Sequence, residues 1–414
     1  MTDPVISPDG KWMWTGSEWI PAPPSSASGA DSTINLQDSM MSGNVNVEQN
    51  SNDATSAINL KDSAMSGDIN ITQNSASDFI AGIDHLLKGL GFDGQSSPAE
   101  LTPSQEEEVE QVLEMSEKLA SSGIEIDPWT EITLGNAAEL AGRIHSAQQH
   151  YLRALDTFRK NGDRQGEAAS LNCCGVIAGT RGNLAEAERL HRESVVLARA
   201  IGSREIQGVA LSNLGNIASK RGDLVEAERL HRESLAIKRE IGDRVGEASS
   251  LLGLGIIAED RGDLVDAVRL YRDSLAIFRE TGDRRKEANS LISIAFSEEI
   301  RGDFAESERL YRESLAINRE LGDRGGEGRS LHGLGNIAFR RSDLAEAERL
   351  YRESLAISRE IGDPYGEGKA LFCIGNTMNS KGKHDEGRRM YTEGVRIHRE
   401  IGIPIDQWYI DNGY

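Results

Sequence analysis

The 414-residue chain carries a net charge of −21, is 38% hydrophobic and only 5% aromatic, so packing must rest on small and aliphatic side chains. Residues 1–128 hold four Lys and Arg against 21 Asp and Glu, a net −17, while residues 129–414 hold 42 against 46, a net −4; neither part offers the basic surface that nucleic-acid phosphates demand. Three cysteines, Cys173, Cys174 and Cys373, are too few and odd in number for a disulfide framework, and with neither a leader-like start nor an apolar run of membrane-spanning length the expected location is the cytoplasm.

Residues 1–24 form a Trp-rich short motif, PDGKWMWTGSEWIPAPP. Trp12, Trp14 and Trp19 alternate around the turn signals Asp9-Gly10 and Thr15-Gly16, which predicts a tiny hairpin. The motif is similar to short tryptophan-rich modules that precede linkers in bacterial and archaeal proteins. Residues 25–33 complete a Pro/Ser/Ala/Gly-rich linker. Residues 34–78 contain a tandem repeat with a 24-residue offset: INLQDSMMSGNVNVEQNS from Ile34 and INLKDSAMSGDINITQNS from Ile58. Val45 and Val47, then Ile69 and Ile71, alternate with Asn or Asp, as in a small β-hairpin or rung. Two such units bury little alone, so they either stack with copies on another chain or stay partly disordered. Residues 79–122 turn helical. In PSQEEEVEQVLEMSEKLASSG, Pro103 and Glu106–Glu108 suit a helix start, and Val109, Val112, Leu113 and Leu119 share one side. This segment is read as a cap or lead-in.

From 123 to 402 a 40-residue unit recurs without insertion. Gly162, Gly202, Gly242, Gly282, Gly322, Gly362 and Gly402 stand 40 apart. A fixed period of this length means one supersecondary unit stacked on its copies. In residues 203–242, Leu211, Leu214 and Ala218 make one apolar helix stripe over about 206–219, and Gly215 between them allows a partner helix to approach. Arg221-Gly222 stops that helix. Asp223 caps the next, with Glu226 at capping-box spacing. Leu224, Ala227, Leu230, Ser234, Leu235 and Ile241 form its apolar stripe, Arg229 and Glu233 pair on the outside, and Gly242 ends it. Seven units fit this register. The first is the most divergent, its Gly142 matching Gly222 at an offset of 80. The last has Lys383 where the others carry Asp or Asn, so a weaker cap is expected. Pro404 stops the final helix, and in the 403–414 tail Trp408 and Tyr409 are expected to cover the open end.

The spacing of Leu211, Leu214, Gly215, Gly222, Ala227, His231, Ser234 and Leu235 resembles the tetratricopeptide repeat. His191, His231, Tyr271, Tyr311, Tyr351 and Tyr391 fill that family's aromatic slot. The extra length is similar to the longer repeats of Pins-type adaptors and kinesin light chain. The resemblance implies an all-α, right-handed α-solenoid of seven helical hairpins behind a small β-rich region, with first helices lining a concave peptide-binding groove. Immediately after the repeat glycine stand Asn136, Val176, Asn216, Ile256, Phe296, Asn336 and Asn376. The resemblance gives Asn here the task of fixing a ligand main chain. Ile256 and Phe296, with Leu252, Ile292 and Ile300, make an apolar centre beside Glu259, Asp260 and Glu299. Arg329, His332, Arg340 and Lys369 make a basic end. The expected function is a non-catalytic scaffold or adaptor that binds an apolar and acidic segment of a protein partner. Two alternatives are nucleic-acid binding by helical repeats, which the neutral array disfavours, and a sensor whose acidic N-terminal region occupies the groove. No phosphate-loop, dinucleotide, nucleophile-elbow or HExxH motif is present. No enzyme activity, cofactor, metal or membrane partner is expected, and homo-oligomerisation would run through residues 34–78.

Overall fold

The computed structural model describes nine short strand segments between residues 5 and 71, then residues 73–92 and 101–403. The end cap expected from Trp408 and Tyr409, and the linker at 25–33, lie outside these residues.

Strands β1 (Val5–Ile6), β2 (Trp12–Trp14) and β3 (Trp19–Pro21) form an antiparallel sheet in the order β1-β2-β3, one strand more than the expected hairpin. The tandem repeat supplies β4 (Ile34–Asn35), β5 (Met41–Ser42) and β6 (Val45–Val47), then β7 (Ile58–Asn59), β8 (Met65–Ser66) and β9 (Ile69–Ile71). β4 pairs with β7, β5 with β8 and β6 with β9, all parallel. Each copy is therefore a rung laid on the other rather than a hairpin.

The helices are α1 (Gln73–Gly89), α2 (Pro103–Ser121), α3 (Pro128–Leu140), α4 (Ile144–Asn161), α5 (Arg164–Thr180), α6 (Leu184–Ile201), α7 (Arg204–Lys220), α8 (Leu224–Glu240), α9 (Arg244–Asp260), α10 (Leu264–Thr281), α11 (Arg284–Arg301), α12 (Phe304–Leu321), α13 (Arg324–Arg340), α14 (Leu344–Glu360), α15 (Pro364–Ser380) and α16 (His384–Glu400). The chain divides into two compact units, Met1–Arg153 and Ala154–Tyr414, with the boundary inside α4.

In the first unit α2 starts at a reciprocal capping box: Gln105 N–H donates to the Thr102 hydroxyl, and Thr102 N–H to Gln105 Oε1 at 2.9 Å. Thr130 on α3 donates to Asp84 on α1 at 2.9 Å, and Arg143 pairs with Glu110 of α2 at 2.7 Å. Glu131 accepts from Arg153 at 2.9 Å and bonds His150 at 2.6 Å. The Thr130–Asp84 bond and the Arg143–Glu110 pair tie the helical lead-in to the first repeat, and Glu131 joins that repeat's two helices.

The second unit stacks six hairpins, α5–α6 through α15–α16. Three contacts recur along the stack. The first is a steric fit. A Cβ added at Gly255 would lie 2.4 Å from the Tyr271 ring, and at Gly335 or Gly375 2.7 or 2.6 Å from Tyr351 or Tyr391. Only a missing side chain lets the aromatic slot residue lie against the first helix. The second is a buried serine. Ser194, Ser234, Ser274, Ser314 and Ser354 each donate to a first-helix carbonyl 26 residues earlier, at 2.7 to 3.0 Å. Such a bond contributes about 1 kcal/mol. The third is the cap. Asp223 accepts from Glu226 N–H at 3.1 Å, and Asp263, Asp303 and Asp343 act alike. Glu226 does not close the expected reciprocal box, because its carboxylate is taken by Arg229 at 2.7 Å. Lys383 makes no side-chain cap, as its charge would oppose the helix N-terminus. Ile241, placed on the apolar stripe by periodicity, is 40% exposed, and Ile237 is buried instead. Ile241 is the C-cap residue, where the chain leaves the helical face.

Junctions between hairpins are matched pair by pair. Phe158, Lys238, Asn318 and Ser358 crowd against Gly166, Gly246, Gly326 and Gly366 of the following helix. At the junction after α10, Lys286 sits 5.6 Å over the Phe278 ring instead. Buried Lys238 is neutralised by Asp243 at 2.7 Å.

The turn glycines from Gly162 to Gly402 adopt positive φ, and among the described residues only Ser342 takes that conformation, at φ 61°, without being glycine. A left-handed L-residue costs about 1 kcal/mol. Ser342→Gly should therefore raise stability by about 1 kcal/mol in urea titration, since the turn N–H to Phe339 carbonyl bond at 2.9 Å is backbone and survives the change.

Candidate functional site

The candidate residues lie on the first helices of successive repeats. Three of the four asparagines already have a structural task. Tyr151 donates to Asn136 Oδ1 at 2.7 Å, Tyr351 to Asn336 at 2.9 Å and Tyr391 to Asn376 at 2.6 Å. Each tyrosine stands 15 residues after its asparagine. Asn216 faces a unit with His231 in the slot, and is exposed. The amide oxygen thus serves the fold, the Asn336 amide also reaches Glu299, and the remaining amide N–H groups are what a ligand could meet. The fixed spacing of 15 between Asn and Tyr is a sequence signal that the helix-by-helix reading passed over.

Tyr151 also donates to Glu139, one helical turn beyond Asn136, at 3.0 Å, and where Ile256 and Phe296 replace asparagine only that carboxylate position is left. Tyr271 donates to Glu259 and Tyr311 to Glu299, both at 3.4 Å. Ser297 also donates to Glu259 at 2.7 Å. Burial raises both carboxyls above the usual carboxylate range, against the lowering effect of these bonds and, at Glu299, of the Asn336 amide and the Arg340 charge. Ile256, Phe296 and Ile300 are 41%, 42% and 53% exposed on α9 and α11, above the half-buried Leu252 and Ile292.

Toward the C-terminal end, His332, Asn336, Arg340 and Lys369 come together around Tyr351 and Glu299. The His332 ring lies 5.4 Å from Tyr351, and its Nε2 is 3.8 Å from Cys373 Sγ. Burial, helped by the Lys369 charge, pushes His332 down to about 4 and the Cys373 thiol, despite Lys369, up to about 11. Lys369 rests 5.3 Å over the exposed Tyr365 ring. Arg329 is exposed and donates to Asn289 at 2.8 Å. Asn376 lies on the neighbouring helix α15, whereas Asn216 is on α7 and Asn136 in the other compact unit.

Clefts elsewhere offer less. A cleft of about 600 Å³ between α12, α13 and α14 is lined by Arg312, Arg319, Arg341 and Arg349, but Glu308, Glu327, Glu346 and Glu353 already pair with them. Among the described residues no group of three or more His, Cys, Asp or Glu could hold a metal ion, and no helix is long and apolar enough to cross a membrane. Cys174 is buried, its thiol pushed up to about 11, mainly by burial.

The tetratricopeptide repeat family model matches residues 207–280 and 286–360. A comparison with curated proteins returns no match. Among solved structures, the apo form of RapI is 12% identical with a TM-score of 0.55, covering 66% of this chain and 98% of that one. A Rap protein complexed with competence and sporulation factor is 10% identical with a TM-score of 0.52, covering 80% and 99%. A signal transduction ATPase with a tetratricopeptide repeat sensor from Pyrococcus horikoshii is 14% identical with a TM-score of 0.52, covering 80% of this chain and 53% of that one. The family match, the helical hairpins and the shared fold agree: this chain carries tetratricopeptide repeats, matched over residues 207–280 and 286–360.

Proposed function

We propose that the first-helix face from α7 to α15 binds an extended segment of a partner protein, apolar at its centre and acidic at one end. A protein-interaction role is what tetratricopeptide arrays generally supply, and a Rap protein of similar fold is described as complexed with a factor. The observation that carries the finer reading is the exposed run Ile256, Phe296 and Ile300 on adjacent first helices. Exposed aromatic and aliphatic side chains beside one another are costly in water and mark contact surfaces. On one side Arg329, Arg340 and Lys369 supply cations, and Arg340 can take a carboxylate bidentately. Asn216, Asn336 and Asn376 contribute amide donors to the partner main chain, and His332 shapes the floor as a neutral ring.

A displayed peptide library tests this. Selected peptides should combine apolar residues with Asp or Glu. Phe296→Ser should weaken them by at least tenfold, a loss of about 1.4 kcal/mol or more, and Arg340→Glu should act on the acidic peptides alone. Both sites are exposed, so melting should not change. For the asparagines the informative variant is Asn336→Asp, which keeps the acceptor for Tyr351 and removes the donors. Equal affinity of all three variants for the selected peptides would end the proposal.

A further inference from the structure

We propose that residues 34–71 are a self-association module, in which the first rung of one chain pairs edge to edge with the same segment of a second copy. A pairing of this kind already exists once inside the chain. Ile34 pairs with Ile58, Met41 with Met65 and Val45 with Ile69, all parallel and all 24 residues apart. A rung therefore accepts a near-copy of itself as its neighbour, in register at each of its three strands.

That pairing uses one side of each strand. The three sheets are two-stranded, so β4, β5 and β6 have no strand on their other side among the described residues. Helix α1 lies against β7 on the second rung. A two-stranded sheet is marginal in water, and an unpaired edge is a template for another strand. Chains that must keep such an edge free place Lys or Pro on it or twist it away. Here none of the strand residues from β4 to β9 is charged, and no proline occurs between 34 and 71. The lack of these guards stands out in a region that is otherwise strongly acidic. In-register stacking also sets like on like, Asn35 with Asn59 and Asn46 with Asn70, the arrangement that lets amide ladders extend along a stack. The occupant that meets every one of these conditions is the same rung on another copy of this chain.

Light scattering on the full chain at tens of micromolar tests the proposal. The wild type should have a mass of at least twice 45.1 kDa. Val45→Lys with Val47→Lys should bring it to one chain by like-charge repulsion across the edge, and so should Val45→Glu with Val47→Glu. Mixing the two variants should restore assembly, which a rung that had simply failed to form could not do. Helical circular dichroism should match the wild type throughout. A one-chain mass for the wild type, an unchanged mass for either variant, or a mixture that stays monomeric would overturn the proposal.

Discussion

Acidification from pH 7 to pH 4 should destabilise the array steeply, and His231→Tyr should remove part of that loss. His191 and His231 are buried and His332 is half-buried, and desolvation pushes each down to about 4, with the Lys369 charge adding to the effect at His332. An unfolded histidine titrates at about 6.5. Between those values the unfolded chain binds protons that the folded chain refuses. Stability is therefore fully present above about 6.5 and is lost as pH falls toward about 4. The gap is worth roughly 3 kcal/mol per histidine. Glu167 and Glu247 add to acid loss below the usual carboxylate range. Burial opposes their lowering, but Arg159 and Arg164, and Arg239 and Arg244, outweigh it. Glu259 and Glu299, raised by burial, act the other way, their contribution being lost as pH rises.

His231 is the site to change because the repeat itself supplies the replacement. A Cβ on either Gly215 or Gly253 would fall within 2.7 Å of its ring, and its Nδ1 has no hydrogen-bond partner. Tyr351 fills the equivalent slot and donates to Asn336. A tyrosine at 231 would find Asn216 at the same spacing. Urea titrations at pH 7 and pH 5 should show a smaller difference for His231→Tyr than for the wild type, by roughly 2 kcal/mol. His191→Tyr should gain less, because Val176 stands where the acceptor is needed. An undiminished pH dependence in His231→Tyr would refute the assignment.

Gly255→Ala should destabilise the array by about 1–3 kcal/mol, although alanine is the better helix former by about 1 kcal/mol. The new methyl would meet the Tyr271 ring at 2.4 Å. The fifth repeat shows how the array lives with alanine at this place. Ala295 occupies the glycine position, and Tyr311 lies instead against Gly333 of the next hairpin, where a Cβ would be 2.3 Å away. The residue matching Gly333 beyond Tyr271 is Ser293. Adding Ser293→Gly to Gly255→Ala should therefore restore most of the loss, while Ser293→Gly alone should cost about 1 kcal/mol as a helix glycine. The double-mutant cycle reads this coupling directly. Additive effects would show that the ring does not shift between hairpins.

Much of this architecture was legible because it is local. Positive φ falls on the turn glycines and on Ser342 at the same register position, Asp caps recur at one spacing, and apolar residues follow the helical period. Each of these features depends on residues within a few positions of one another. The partners of Ser234, Asn336 and Lys238 were not legible to that reading. Ser234 looked like a small packing residue and proved to be a donor to Gly208 across the hairpin. Asn336 was read for a ligand and accepts from Tyr351. The 34–71 repeat showed alternation, but alternation cannot tell a hairpin from a rung, because both present the same period of two.

By itself the sequence determined the period, the hairpins, the caps, the family resemblance and the apolar-then-basic order of the first helices, since periodicity and turn chemistry are properties of the chain taken a few residues at a time. The tertiary structure alone decided which side chains meet across helices, and so which candidate groups are free to act. Contacts 15, 26 and 40 residues apart form only when one helix is laid against the next. At that point Tyr351 occupies the amide oxygen of Asn336, and Ile256, Phe296 and Ile300 are left facing water.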